Sequence, residues 1–294
     1  MISSRLRVYA SFVRFSHSVF ALPFAFAGAF LAFKATGGIT RAAALWRTGW
    51  IIVAMVSARS AAMGFNRLAD ARFDALNPRT ANRELPSGVM SRAEALVFVV
   101  AASAVFLFAT WELPRICFVL APVALVIVFW YSLAKRFTAW TQLFLGLAMA
   151  VAPVGGWLAA GGQADRVEPW LLALAIAMWV GGFDILYACQ DLDFDRAHGL
   201  RSIPERFGIS TSLRLSRLMH AVAVLCLAAV SFVPSRPQLA PVYLFGVAAV
   251  AALLVYEQSL VTADDLSRVK RAFDLNGYVG ILYVLVVIVS LYGP

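Results

Sequence analysis

The sequence predicts an all-α integral membrane protein: nine transmembrane helices forming one helical domain over residues 1–294, with the N-terminus in the cytoplasm. Three observations carry this reading. Of the 294 residues, 62% are hydrophobic and only 14% charged, whereas an ordinary soluble domain is ~25% charged. The apolar residues fall into runs close to the ~20 residues that cross a bilayer. The basic residues are divided unequally between alternate loops, as positive-inside sorting requires.

The runs lie at about 12–33, 45–68, 93–111, 114–133, 140–161, 168–190, 212–233, 239–258 and 273–292. Period-2 alternation of the barrel kind is absent, and in lipid only helices or closed barrels satisfy the backbone. The opening, MISSRLRVYASFVR, is basic and then turns apolar like a signal peptide, but Phe20 to Phe33 offers no clear cleavage site. It reads as a retained first span. Eighteen of the 25 Lys and Arg residues lie in the N-terminus and the loops after spans 2, 4, 6 and 8, six lie on the opposite side, and Arg59 lies inside span 2. This split puts the even-numbered loops in the cytoplasm and the C-terminus outside. Ser91-Arg92-Ala93-Glu94 ahead of the third run has the form of a capping box.

A formal net charge of +9 on so apolar a chain points to anionic lipid and anionic substrate, not to nucleic acid. No obligate protein partner is evident. Cys117, Cys189 and Cys226 fit no disulfide or metal spacing and read as small buried hydrophobes. His17, His198 and His220 are scattered and form no zinc pattern.

Two acidic clusters stand out. Asn66, Asp70 and Asp74 recur every fourth residue at the cytoplasmic end of span 2 and stay within a ~80° sector of a helix. Arg59 and Met63 extend that row into the membrane. Asp184, Tyr187, Asp191 and Asp195, spaced 3, 4 and 4, share a face at the cytoplasmic end of span 6, and Asp193 falls off it. Carboxylates one turn apart repel, desolvation near the membrane adds to the cost, and a helix C-terminus disfavours negative charge. A hard divalent cation compensates all three. Mg²⁺ binds through one or two carboxylates plus substrate phosphates, so two facing clusters suit two Mg²⁺ with a diphosphate between them. Pairing with nearby Arg at a headgroup surface explains a single Asp equally well, but not two matched clusters.

Arg79 and Arg83, in the turn-rich loop NPRTANRELPSG, are candidates to neutralise diphosphate oxygens. Arg72, Lys135 and Arg136 fit that role or simple solvation equally. An Arg inside a span is a functional candidate by default, so Arg59 is assigned to an acidic acceptor or to phosphate. Tyr187 fits stacking on a cation, bonding to the acceptor, or packing. Asp184 lies at a similar depth.

These residues resemble the motifs of the UbiA superfamily of intramembrane aromatic prenyltransferases. Asn66-Arg-Leu-Ala-Asp70-Ala-Arg-Phe-Asp74 is similar to that family's first motif, and Arg79-Thr-Ala-Asn-Arg83 with Pro86-Ser-Gly88 to its adjoining loop. Asp184-Ile-Leu-Tyr187-Ala-Cys-Gln-Asp191-Leu-Asp-Phe-Asp195, continued by Gly199-Leu-Arg-Ser-Ile-Pro204, resembles the second. The resemblance covers nearly the full length. It implies a Mg²⁺-dependent polyprenyltransferase of a bacterial-type inner membrane, with its active site facing the cytoplasm. Asn66, Asp70, Asp74, Asp191 and Asp195 would hold metal. Asp70, Asp191, Arg59 and Tyr187 would serve catalysis, and Arg59, Arg79, Arg83, Lys135, Arg136 and Asp184 would contact substrate. The substrates implied are a polyprenyl diphosphate and an aromatic acid, for ubiquinone or menaquinone synthesis. Arg59 matches a position associated with a carboxylated acceptor such as 4-hydroxybenzoate. The opening Phe15-Ser-His-Ser-Val-Phe-Ala-Leu-Pro23 departs from the usual opening of the ubiquinone enzymes and looks more like their close relatives assigned to 4-hydroxybenzoate-like or 1,4-dihydroxy-6-naphthoate prenylation.

A transporter is the competing class. Transporters place ionisable residues near the midplane, whereas most acids here lie at helix ends, with Glu257 and Arg59 as the exceptions.

Overall fold

A computed structural model describes residues 2–13, 21–234 and 239–293. Most of the opening at Phe15–Pro23, together with Arg14, His17 and Arg236, lies outside the described residues. Helix starts follow local chemistry. α1 (Ile2–Phe12) precedes α2 (Leu22–Ala35), whose early Pro23 suits a first turn. α3 (Arg41–Leu76) starts where the Thr40 hydroxyl accepts from the Ala43 N–H (3.3 Å). α4 (Arg92–Trp111) starts at the predicted cap, where Ser91 Oγ accepts from the Glu94 N–H (3.1 Å). The reciprocal half of that box is not formed. The Glu94 carboxylate instead accepts from Tyr9 (2.7 Å) and pairs with Arg5 (3.3 Å), which docks α1 on α4.

α5 (Arg115–Ala134), α6 (Thr141–Ala159) and α7 (Glu168–Ala188) follow. A 3₁₀ turn, Cys189–Asp191, leads to the short α8 (Leu192–His198), closed by Gly199 at φ 64°. α9 (Ile203–Val230) is capped by Ser202 and broken at Gly208, whose φ of 75° no other residue adopts cheaply. α10 (Val242–Ser259) and α11 (Val269–Tyr292) complete the chain.

Eight helices among the described residues are long and apolar enough to cross a membrane, and α2 is a shorter apolar helix. The nine predicted runs thus match nine helices, with α1 outside them. Two expectations need correction. The predicted second span ends near residue 68, yet α3 continues to Leu76, because hydropathy stops where the charged residues begin while the helix does not. The sixth run does not continue to Asp195 as one uninterrupted α-helix, since the 3₁₀ turn Cys189–Asp191 lies between α7 and α8.

α7 packs against α6 and α9, and α2 against α6 and α11. Small residues let the backbones meet. A Cβ at Gly156 would overlap the Ala25 carbonyl, one at Gly28 the Pro153 carbonyl, and one at Gly146 the Ala177 carbonyl. Gly156→Val should lower the thermal midpoint in detergent, by an overpacking cost of about 1–3 kcal/mol. An unchanged midpoint would remove the close α2–α6 seam from the account.

Glu257 is not a stray midplane charge. Its carboxylate accepts from Asn276 Nδ2 (3.0 Å), and Asn276 Oδ1 accepts from Trp179 Nε1 (2.7 Å), tying α10, α11 and α7 together. His220 is buried beside Gln258 (3.0 Å). The three cysteines are free, two of them buried.

Candidate active site

The last three turns of α3 present Asn66, Asp70 and Asp74 along one face, as the spacing requires. Asn66 Nδ2 donates to Asp70 Oδ2 (3.3 Å), and Asp70 and Asp74 are buried. The chain then turns back: Thr80 Oγ1 donates to the Asp74 carbonyl (2.9 Å), which seats the loop carrying Arg79 and Arg83 over the end of α3.

Asp191 sits at the junction between the 3₁₀ turn and α8, and Asp195 lies in the first turn of α8. The expectation that a helix C-terminus disfavours negative charge applies to Asp191, which directly follows the end of α7, and is offset for Asp195, which lies in the first turn of the short α8. It holds for Asp70 and Asp74. Asp195 accepts from Ser202 Oγ (2.8 Å). Asp193 is exposed, as its register implied.

Basic side chains bind the carboxylates together. Lys135 Nζ lies 2.7 Å from Asp70, with Arg136 3.6 Å away on its other oxygen. Arg83 pairs with Asp74 (2.7 Å) and Arg79 with Asp191 (3.0 Å). Lys135 also acts electrostatically on Asp191 and Asp195, which puts it between the two clusters. Lys135 and Arg136 stand over the Phe73 ring, each 5.8 Å from its centre. Lys135 and Arg136 thus both pair with Asp70, whereas Arg72 makes no ion pair with either cluster among the described residues and lines a groove with Arg92. The Arg79 guanidinium lies 5.5 Å from the Tyr187 ring centre, and Tyr187 packs on Phe273 (5.0 Å). Its stacking and packing readings therefore both describe the contact.

Deeper in the bundle, Arg59 Nη1 lies 3.9 Å from Met149 Sδ. It is eleven residues before Asp70 on α3, a rise of about 16 Å. Asp184 is half-buried and within electrostatic reach of Asp191. One residue missed in the sequence links these levels: the Tyr131 phenol on α5 is acted on by Arg59, Asp70 and Asp184. Its signal was available, since it stands one turn before Lys135. Ser202 was also readable, because Ser202-Ile-Pro-Glu205 has the form of a capping box.

The site is thus an end of a membrane helical bundle where two acidic motifs from α3 and α7–α8 are drawn together by cations. Residues 21–284 match the UbiA prenyltransferase family. The chain belongs to the UbiA prenyltransferase family. As a UbiA-family protein it is a polyprenyltransferase of the membrane. Among similar proteins, the 4-hydroxybenzoate octaprenyltransferase of Aliivibrio fischeri (strain MJ11) is 30% identical over 239 residues, covering 81% of this chain and 82% of the relative. That of Aliivibrio salmonicida is 34% identical over 230 residues, 78% and 79% of the two chains. The apo UbiA homologue from Aeropyrum pernix K1 superposes with a TM-score of 0.81 at 36% identity, covering 93% of this chain and 98% of its own. The UbiA homologue from Archaeoglobus fulgidus bound to DMAPP and Mg²⁺ shares the fold, with a TM-score of 0.71 at 20% identity over 96% and 99% of the chains.

Proposed function

We propose that the protein transfers a polyprenyl group from a polyprenyl diphosphate to an aromatic acid of the 4-hydroxybenzoate type, with Mg²⁺, for respiratory quinone synthesis at the cytoplasmic face of a bacterial-type inner membrane. The observation that carries the reading is the constellation of Asp70, Asp74, Asp191 and Asp195 with Lys135, Arg79 and Arg83 threaded between them. The relatives named as 4-hydroxybenzoate octaprenyltransferases favour that acceptor class, and the Mg²⁺ and DMAPP of the A. fulgidus homologue favour the metal and the donor.

The donor set suits a hard cation. It is all oxygen, and Asp70 Oδ1 is buried without a hydrogen bond. Among the described residues no three acidic, His or Cys side chains converge on one point, and Mg²⁺ elsewhere typically takes one or two carboxylates with substrate phosphates. Asn66, Asp70 and Asp74 would hold one ion, Asp191 and Asp195 another. When bound, Mg²⁺ supplies positive charge to the departing diphosphate.

The remaining work falls to side chains. Lys135, Arg79 and Arg83 exchange their carboxylates for diphosphate oxygens and orient the leaving group. The allylic C–O bond breaks with its electron pair going to diphosphate. The ring carbon of the acceptor forms the new C–C bond to the allylic carbon, and its proton passes to the released diphosphate or to water. Tyr187 and Tyr131 present ring faces and hydroxyls beside the reacting carbons. Arg59 holds the carboxylate of the acceptor, and Asp184 orders the wall between the two levels.

The test is an acceptor panel on purified protein in liposomes: 4-hydroxybenzoate and hydroxynaphthoates with one long prenyl diphosphate. Transfer to 4-hydroxybenzoate should require Mg²⁺ and stop on chelation. Preference for 1,4-dihydroxy-6-naphthoate would move the protein to the menaquinone branch, and transfer in excess EDTA would refute the metal assignment. Arg59→Ala should raise KM for the acid by roughly tenfold or more, the loss of one charged hydrogen bond, with KM for the diphosphate little changed. Equal increases for both substrates would reassign Arg59.

A further inference from the structure

Beside the acidic site, and sharing Asp195 with it, is a pocket of about 550 Å³ whose other lining residues the proposed reaction does not use. Its floor is the turn between α5 and α6, and its far wall is the segment from Arg196 to the start of α9. Its lip is aromatic. Phe137, Trp140 and Phe207 are 60%, 44% and 41% exposed, Trp140 and Phe207 lie 5.5 Å apart, and Trp130 stacks on Phe137 (6.1 Å). Its rim carries exposed Arg196, Arg201 and Arg206, none of which makes an ion pair among the described residues.

We infer that this pocket binds the headgroup of an anionic phospholipid of the surrounding leaflet. Position and chemistry agree. The pocket lies level with the ends of α5, α6 and α9, at the depth where aromatic rings and Arg meet lipid headgroups. Below it the apolar face of α5 and α6 is open to acyl chains, with Val126 and Leu147 65% and 47% exposed. Three Arg against the two carboxylates of the lining, Asp195 and Glu205, leave one positive charge. That is the complement of a singly charged phosphodiester. The volume falls within the ~300–1,000 Å³ of small-molecule sites.

The pocket is also braced against the acidic site. The Arg201 N–H donates to the Lys135 carbonyl (2.8 Å) and Arg201 Nη1 to the Phe137 carbonyl (2.7 Å). Ser202 holds Asp195 from the same segment. A lipid on the rim therefore steadies the strand of chain that carries Lys135.

The experiment reads lipid retention, not turnover, so it stands or falls apart from the acceptor assignment. Purified full-length protein is equilibrated with mixed phosphatidylglycerol and phosphatidylcholine, delipidated, and analysed by native mass spectrometry. Wild type should retain phosphatidylglycerol preferentially. R196Q/R206Q should lower that retention roughly thirtyfold, at about 1 kcal/mol for each of the two basic residues near a headgroup, while keeping its thermal midpoint. R196K/R206K should restore much of it. R268Q/K270Q, equally exposed on the same end of the bundle, should change nothing. Equal retention by wild type and R196Q/R206Q overturns the inference. So does an equal loss in R268Q/K270Q, or displacement by millimolar inorganic phosphate, which would make the ligand a soluble anion.

Discussion

Asp191→Ala and Asp70→Ala should each lower prenyl transfer on the order of 10³-fold, the scale of removing a group that stabilises charge in the transition state, while the protein still folds. Folding is spared because the cations left behind reach water: the Arg79 and Lys135 side chains are 44% and 27% exposed. A pair as open as Arg79–Asp191 contributes ~0–1 kcal/mol to stability. The comparison is initial rates at saturating Mg²⁺ and diphosphate, beside the thermal midpoint of each variant. Full activity in either variant sinks its place in the metal site. A rate loss accompanied by collapse of the midpoint would instead make that carboxylate structural. Asp193→Ala, on an exposed carboxylate, is the internal control and should behave as wild type.

Lys135→Ala should lower activity on the order of 10²-fold and also destabilise the protein, which Asp191→Ala does not. Lys135 stands between both clusters, and its partner Asp70 has a side chain only 7% exposed. Removing the cation leaves that carboxylate with Arg136 at 3.6 Å, a deficit worth about 1–3 kcal/mol. If Asp70 takes Mg²⁺, the metal replaces the missing charge, and the midpoint lost in EDTA returns as Mg²⁺ is added. Identical destabilisation with and without Mg²⁺ would show that Asp70 binds no metal. Lys135→Arg should keep stability and lose most of its rate, because the planar guanidinium cannot reproduce a point charge between two clusters.

The fold was legible because hydropathy is a property of the chain read one residue at a time. The nine runs mark nine helices, and Ser91 marks a helix start that its hydroxyl makes. The i, i+4 row of Asn66, Asp70 and Asp74 survived because α3 continues through it. The second row is interrupted by a 3₁₀ turn, although Arg79 still reaches both Tyr187 and Asp191. Nothing in Ala188-Cys189-Gln190 announces a 3₁₀ turn, since these residues suit either helix, and the break follows from tertiary packing around Leu186, Cys189 and Leu213. The pairings were likewise invisible. The sequence places Arg79, Arg83, Lys135 and Arg136 at the same end of the spans as the acidic clusters, but which carboxylate each meets depends on how the loop after α3 folds back through Thr80. Tyr131 was passed over because a tyrosine in an apolar run reads as packing until Arg59, Asp70 and Asp184 are seen around it.

Three of the four carboxylates of this site, Asp70, Asp74 and Asp191, carry their own counter-ions. Under the proposed function, ligand entry would be a metathesis: Lys135, Arg79 and Arg83 would release their carboxylates to Mg²⁺ and pair with the diphosphate instead. Either ligand alone would strand one set of charges in a half-buried setting. Both together re-pair everything. The two should therefore bind with strong mutual synergy, each nearly indifferent to the protein until the other arrives. A resting enzyme built this way stays closed to stray metal and to stray anions, and opens its chemistry only to the magnesium salt of its donor.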